Sequence, residues 1–309
     1  MITRDEMITR DDIITHDEMI THDDPDVIAA RAQSLVIGCV TDEVSVDLAR
    51  AVDLLRRWDV HHVELRMLSN GRVPVITERE LALLRELTAR GELVVTALSP
   101  GLGKLPIGEA AAIGRERSEL LPRTLDLAGS LGISTLIHFG YAQREDPREG
   151  DRDRAAEHLH RAAERAAEAG VRIAVENEYG FVCDGGTATA DVVRRAEHPA
   201  LGVQWDAANA LGARVEGREE DPLTEGYAAV RALVAGVHVK DARTVVPDGC
   251  VPVGEGRVDW PAQLAALVAD GVCGQVTIET HCAPLEEMTR RNVRAVREML
   301  ARIAAGEGA

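Results

Sequence analysis

From Ser34 onward the chain alternates between short apolar runs and longer stretches whose apolar residues recur every three to four positions. The short runs are rich in Val, Ile and Leu and read as strands: SLVIGCV, HHVELRML, LVVTALSPG, STLIHFG, VRIAVENE, LGVQWDAAN, VAGVHVKDA and GQVTIETH. Between them, SVDLARAVDLLRRWD, ERELALLRELTAR, a span across 109–131, and RDRAAEHLHRAAERAAEAG with its stop at Gly170 read as helices. Further helices are expected near 188–197 and 222–233, then in DWPAQLAALVADG and the closing LEEMTRRNVRAVREMLARIAA. Asp259 is the expected N-cap of the seventh helix, with Pro261 in its first turn. Eight strand–helix units in about 270 residues, with strands nearly all apolar, predict an α/β protein built as a single (β/α)8 TIM barrel. A doubly wound sheet fits less well, because the first strand–helix junction, GCVTDEVS, has no G-x-G-x-x-G phosphate turn.

Residues 1–24 depart from this rhythm as four imperfect hexads, MITRDE, MITRDD, IITHDE and MITHDD. Nine acids stand against two arginines in residues 1–26, and Pro25 ends the repeat. The expected division is an acidic low-complexity tail over 1–33 without fixed structure, the barrel over 34–304, and a short tail at 305–309. The net charge of −17 excludes a nucleic-acid binder, whose phosphate contacts need a basic face. With aromatics at 3%, stacking on bases or polysaccharide chains is also disfavoured. The five cysteines are scattered without a C-x-x-C pair, which indicates neither a disulfide framework nor a zinc ribbon. No apolar run reaches the roughly 18–20 residues of a membrane span. The acidic start lacks a basic n-region. These features predict a cytoplasmic protein that acts on small molecules, with no nucleic-acid or membrane partner.

The chemistry concentrates in the second half. Four strands end in a metal-binding group: RIAVE at Glu176, LGVQWD at Asp206, VAGVH at His238 and QVTIE at Glu279. Ionisable groups at the ends of buried strands are costly to desolvate unless paired. Three carboxylates and an imidazole predict one hard or borderline divalent cation at the carboxyl ends of the strands, where barrels place their chemistry. Residues two apart on a strand share a face, and each second one lies roughly 6.6 Å nearer the mouth. Glu178, Lys240 and His281 therefore form a polar layer above Glu176, His238 and Glu279. His62, Glu64 and Arg66 on the second strand follow the same rule, and His138 ends the fourth. Between strand three and the next helix, SPGLGKLP reads as a loop over the site, with Lys104 able to meet an anion.

The strings VENEYG, WDAANALG, VHVKDA followed by VPVGEGRVDW, and TIETH stand in an order that resembles the xylose isomerase-like TIM barrels, the sugar phosphate isomerases and epimerases, across residues 34–304. The resemblance implies a divalent-metal-dependent isomerase or epimerase acting on a keto-sugar, sugar phosphate or polyol. Glu176, Asp206, His238 and Glu279 would hold Mn²⁺, or Mg²⁺, Co²⁺ or Zn²⁺ in its place. Glu176 and Glu279 would remove and return a proton on opposite faces of the substrate. His138 would act on a hydroxyl proton, and Glu64 and Arg243 would contact substrate. Arg66, Glu178, Asn209, Lys240 and His281 complete the expected substrate-binding set. Asn209 stands three residues beyond the strand-six aspartate, where ketose 3-epimerases carry a histidine, a departure that weakens that assignment. The same barrel also implies a rival, a dehydratase or lyase resembling the inosose and dehydroshikimate dehydratases or the C-glycoside-cleaving enzymes. A non-catalytic binding subunit is the remaining alternative, and homo-oligomers are common among these barrels.

Overall fold

The computed structural model describes residues 24–246 and 248–307, so the hexad repeat lies outside the described residues. Eight parallel strands close into a barrel: β1 (Val36–Val40), β2 (His62–Leu65), β3 (Val94–Leu102), β4 (Thr135–Phe139), β5 (Arg172–Glu176), β6 (Leu201–Asp206), β7 (Val234–Val239) and β8 (Gln275–Ile278). Each strand pairs with its sequence neighbours, and β1 pairs with β8 to close the ring. The expected single (β/α)8 barrel is therefore the fold.

The helices follow the strands: α1 (Pro25–Ser34), α2 (Leu48–Arg57), α3 (Glu78–Ala89), α4 (Ala110–Arg115), α5 (Leu121–Leu131), α6 (Asp151–Glu168), α7 (Gly186–Ala196), α8 (Ala228–Val230), α9 (Trp260–Asp270) and α10 (Leu285–Ala304). Local signals explain their limits. Thr77 and Glu80 form a capping box at the start of α3, and Asp259 caps α9 ahead of Pro261. The start of α7 has only Gly185 as its cap residue, and buried Glu220 supplies the missing acceptor from outside, taking N–H groups from Gly186 and Thr187 at 2.8 and 2.7 Å. The span expected near 222–233 is a wide turn at Pro222–Tyr227, the single turn of α8 and a tight turn at Arg231–Leu233.

One boundary moves. The tail expected to lack fixed structure up to residue 33 ends sooner, because α1 occupies Pro25–Ser34, capped by Asp24. Its Ala32 is buried, and Arg31 Nη1 donates to the Ala269 carbonyl at the end of α9 at 2.5 Å.

Side-chain alternation divides the barrel into two apolar layers. Leu136, Val175, Val203, Trp205, Val237 and Ile278 point out against the helices and join the large core. Inside, Ala97, Ile137 and Ala174 form a small separate cluster. Small residues suit the narrow interior, and the space above them is left to the polar groups at the strand ends. Trp260 of α9, fully buried, donates its indole N–H to the Lys240 carbonyl at 2.9 Å and so fixes the chain just beyond β7.

Candidate metal centre

Glu176, Asp206, His238 and Glu279 meet inside the mouth. All four are buried, and each offers one ligand atom within 4.8 Å of the others. His238 is held from both sides. Its Nδ1 lies 3.1 Å from Glu176 Oε1 and 3.6 Å from Glu279 Oε2, and its Nε2 lies 2.9 Å from Glu64 Oε2. Burial alone would lower its pKa, but Glu64, Glu176 and Glu279 together push it well above the ordinary histidine value.

Asp206 is anchored more rigidly. Its Oδ1 accepts the Ala208 and Asn209 N–H groups at 2.9 Å each, and Asn177 grips its backbone on both sides, accepting from Asp206 N–H and donating to its carbonyl. The other oxygen, Oδ2, is buried with no aligned hydrogen-bond donor and only the charge of Lys240 at 2.9 Å. Burial, with Glu279 and Glu176 nearby, raises its pKa against the pull of Lys240. A set of three carboxylates and one imidazole, preassembled, buried and with one oxygen short of a donor, fits a divalent cation.

Lys240 reaches the same carboxylates, with Nζ 2.8 Å from Glu279 Oε2, and they hold it charged despite complete burial. Lys240 and Asp241 of VKDA thus both lie inside the protein, not on its surface. Asp241 accepts N–H groups from Ala242, Gly254, Gly256 and Val258 at 2.8–3.2 Å. The VKDA and VGEGRVDW strings are thus the two sides of one clamp.

Arg66 closes the other flank. It bonds Glu279 Oε1 at 2.5 Å, Asp42 Oδ2 at 2.8 Å and Glu43 Oε1 at 2.5 Å. His281 Nε2 lies 3.0 Å from Glu279 Oε1 and 3.1 Å from Arg66 Nη1. Burial disfavours charge on His281, but Glu279 raises its pKa above the ordinary value. Glu279 itself sits well below the carboxylate range in spite of burial, held there by Lys240, His281 and His238. A second group of ligand atoms, on Glu43, Glu279 and His281, is threaded by the Arg66 guanidinium rather than left open.

Not every expected residue joins the cluster in the expected way. His138 shares its register position with Val175, on the outward face, while its neighbour Phe139 is paired with Glu176. Its ring packs against Tyr141, which in turn meets His158 of α6, and its Nδ1 donates to the Phe139 carbonyl at 2.6 Å. Burial, opposed by that hydrogen bond, lowers its pKa to about 4. A one-residue phase difference therefore puts His138 in the helix-facing layer and Phe139 towards the interior. Glu64, expected at substrate, lies against His238 Nε2 with its Oε1 buried and unpartnered. Arg243 is exposed on the loop after β7 and makes its contacts with Glu255. Asn209 donates to Glu176 Oε1 at 3.3 Å. Glu178 meets Lys104 at 3.1 Å, and that ammonium lies 3.9 Å above the Phe139 ring. The expected loop SPGLGKLP is strand up to Leu102.

Asp42, Glu43, Asn177 and Arg72 were not among the expected site residues. Asp42 and Glu43 lie in the tight turn Thr41–Glu43 after β1, beyond the strand end to which the rule used for the second half applies.

The model of the xylose isomerase-like TIM barrel family matches residues 52–300. No curated protein sequence matches the chain. Among solved structures, an L-ribulose 3-epimerase is 18% identical with a TM-score of 0.69, over 88% of this chain and 98% of that one. The probable 3-DHS dehydratase AsbF of Bacillus anthracis is 14% identical with a TM-score of 0.69, over 85% and 98%. The IOLI protein, solved with a binding zinc atom, is 15% identical with a TM-score of 0.69, over 89% and 99%. At these identities the likeness concerns the fold. No helix among the described residues is long and apolar enough to cross a membrane.

Proposed function

The chain belongs to the xylose isomerase-like TIM barrel family, and from that premise we propose that it is a divalent-metal-dependent isomerase or epimerase of a keto-sugar, sugar phosphate or related polyol. One observation carries the reading: four buried ligand atoms from Glu176, Asp206, His238 and Glu279 within 4.8 Å of one another at the carboxyl ends of β5–β8. A divalent ion there, Mn²⁺ by preference, would polarise a substrate carbonyl and make the proton on the neighbouring hydroxyl-bearing carbon more acidic.

The chain's own groups divide the remaining work. Glu176 and Glu279 approach from different strands, as a base on one face and an acid on the other require. Glu64 accepts the His238 Nε2 proton, which leaves Nδ1 as the ligand atom. Asn177 and the Ala208 and Asn209 amides fix Asp206. Beside Arg66, Lys240 and His281 also reach Glu279, at 2.8 and 3.0 Å, and are suited to hold a substrate hydroxyl. His138 has no part in the reaction, since it faces the helices.

The second reading is a dehydratase, supported by the likeness to AsbF and by the same two donors, which would protonate a departing hydroxyl. Incubation of the Mn²⁺-loaded protein in D₂O with keto-sugars, their phosphates, inososes and C-glycosides tests both. Deuterium beside the carbonyl, with the composition otherwise unchanged, supports isomerisation or epimerisation. An ultraviolet-absorbing product of lower mass supports elimination. No exchange with any member of the panel overturns the proton-transfer reading.

A further inference from the structure

Among the described residues, the cations at the mouth are spoken for, with one exception. Arg66 is shared among Asp42, Glu43 and Glu279, Lys240 between Asp206 and Glu279, and Lys104 is held by Glu178. Arg72 is different. It sits in a two-strand ribbon just beyond β2, where Met67 pairs with Arg72 and Leu68 with Gly71. Asp42 fixes the ribbon by accepting the Met67 N–H at 3.0 Å, and the Val73 N–H returns to the Arg66 carbonyl at 2.9 Å. The guanidinium lies against the backbone at the end of β3. A Cβ on Gly101 would come within 2.8 Å of Arg72 Nη1 and 3.1 Å of Cδ, and the φ of Gly101, +82°, also favours glycine. Arg72 is thus seated and half-buried, yet no described carboxylate pairs with it.

The ribbon is tied to the groups that flank the metal centre: Asp42 and Arg66 hold its backbone, and the Arg66 side chain bonds both Asp42 and Glu279. Burial and the neighbouring Arg66 lower the pKa of Arg72, while Asp42, Glu176 and Glu279 act in the opposite direction. Two ligands of the candidate metal centre are therefore within electrostatic reach of Arg72 without touching it. A half-buried guanidinium loses hydration, a cost that a bound oxyanion offsets through paired, charge-assisted hydrogen bonds. A neutral sugar would offer it no such partner.

Resting on the function proposed above, we propose that Arg72 is a specificity-determining residue that grips an oxyanion, so that the substrate is a hydroxy-keto compound carrying a carboxylate or a phosphate. The metal centre takes the hydroxy-keto end and Arg72 the charged end. The planar fork matters as well as the charge, so lysine is an incomplete substitute.

The test is calorimetric titration of Mn²⁺-loaded wild type, Arg72→Gln and Arg72→Lys with D-gluconate, inorganic phosphate and neutral D-sorbitol. The expected result is that wild type binds at least one of the two anions more tightly than sorbitol. Arg72→Gln should weaken that anion on the order of tenfold to a hundredfold and leave sorbitol unchanged, with Arg72→Lys in between. Gluconate binding without phosphate binding identifies a carboxylate substrate, and the reverse identifies a phosphate ester. Equal anion binding by wild type and Arg72→Gln overturns the proposal, because the anion is then held by the metal or elsewhere. So does a wild type that prefers sorbitol. Failure of the function itself reads differently: neutral and anionic ketoses alike would show no deuterium exchange, whatever the calorimetry gives.

Discussion

The two halves of the barrel divide the site's chemistry between them. Strands β5–β8 supply Glu176, Asp206, His238 and Glu279, all on regular strand or one residue past it. The β1–β4 half contributes Asp42 and Glu43 from the turn after β1, Arg66 and Arg72 from the irregular chain after β2, and Lys104 beyond β3. One half presents ligands on rigid backbone. The other flanks them with charged groups of both signs on turns, apart from Glu64, which reaches across to His238. The division assigns metal ligation to the second half; charge balance is shared between Lys240 and His281 of that half and Arg66 of the first, and the oxyanion grip proposed for Arg72 belongs to the first.

The sharpest way to break that division is Asp206→Asn, a second-half change at a residue locked by four local hydrogen bonds. Metal affinity, measured by competition with a chelating dye, should fall by more than the roughly hundredfold typical of residues that only support a ligand. A smaller loss would mean that Asp206 is not a ligand.

Next in size is Arg66→Ala, from the first half. Its side chain is 12% exposed and its partners less, so removal leaves three buried carboxylates facing one another. Chemical denaturation should register a loss of about 3–5 kcal/mol. A loss below about 1 kcal/mol would show that the network is solvated and contributes little.

The third test concerns His138. Its folded pKa of about 4 lies below the ordinary 6.5, so on acidification the unfolded chain takes up the proton first. The stability tied to its neutral form is therefore complete above about pH 6.5 and lost as pH falls towards 4, about 3 kcal/mol in all. Urea titrations of wild type and His138→Gln across that window should differ by this slope, while turnover at neutral pH is retained. Loss of turnover in a folded His138→Gln would put the residue back in the reaction.

The smallest effect sharpens the exception. Glu64→Gln keeps a group that can accept the His238 Nε2 proton but removes the charge, and metal affinity should drop about 10- to 100-fold. An unchanged affinity would confine Glu64 to packing.

These halves were not equally legible in the sequence. The ligands of β5–β8 could be read because strand phase and strand end coincide with the inward face, as the positions of Glu176 and Asp206 show. His138 misled because STLIHFG is apolar on both faces, so nothing in the pattern tells which alternate residues face the interior. Asp42, Glu43 and Arg72 act from turns, where period-two reasoning does not apply. For α1 the signals were present, with Asp24 before Pro25 and an alanine-bearing run behind it, but the repeat in front drew the boundary too late. The barrel itself was legible throughout, since strand count, spacing and apolar content all point the same way.

The central claim is that the four second-half residues form a metal centre. Elemental analysis after Mn²⁺ loading and desalting, on wild type and on the Glu176→Gln/Glu279→Gln double variant, tests it most directly. The account predicts about one ion per chain in wild type and almost none in the folded variant. Equal metal in both proteins, or none in either, would contradict it.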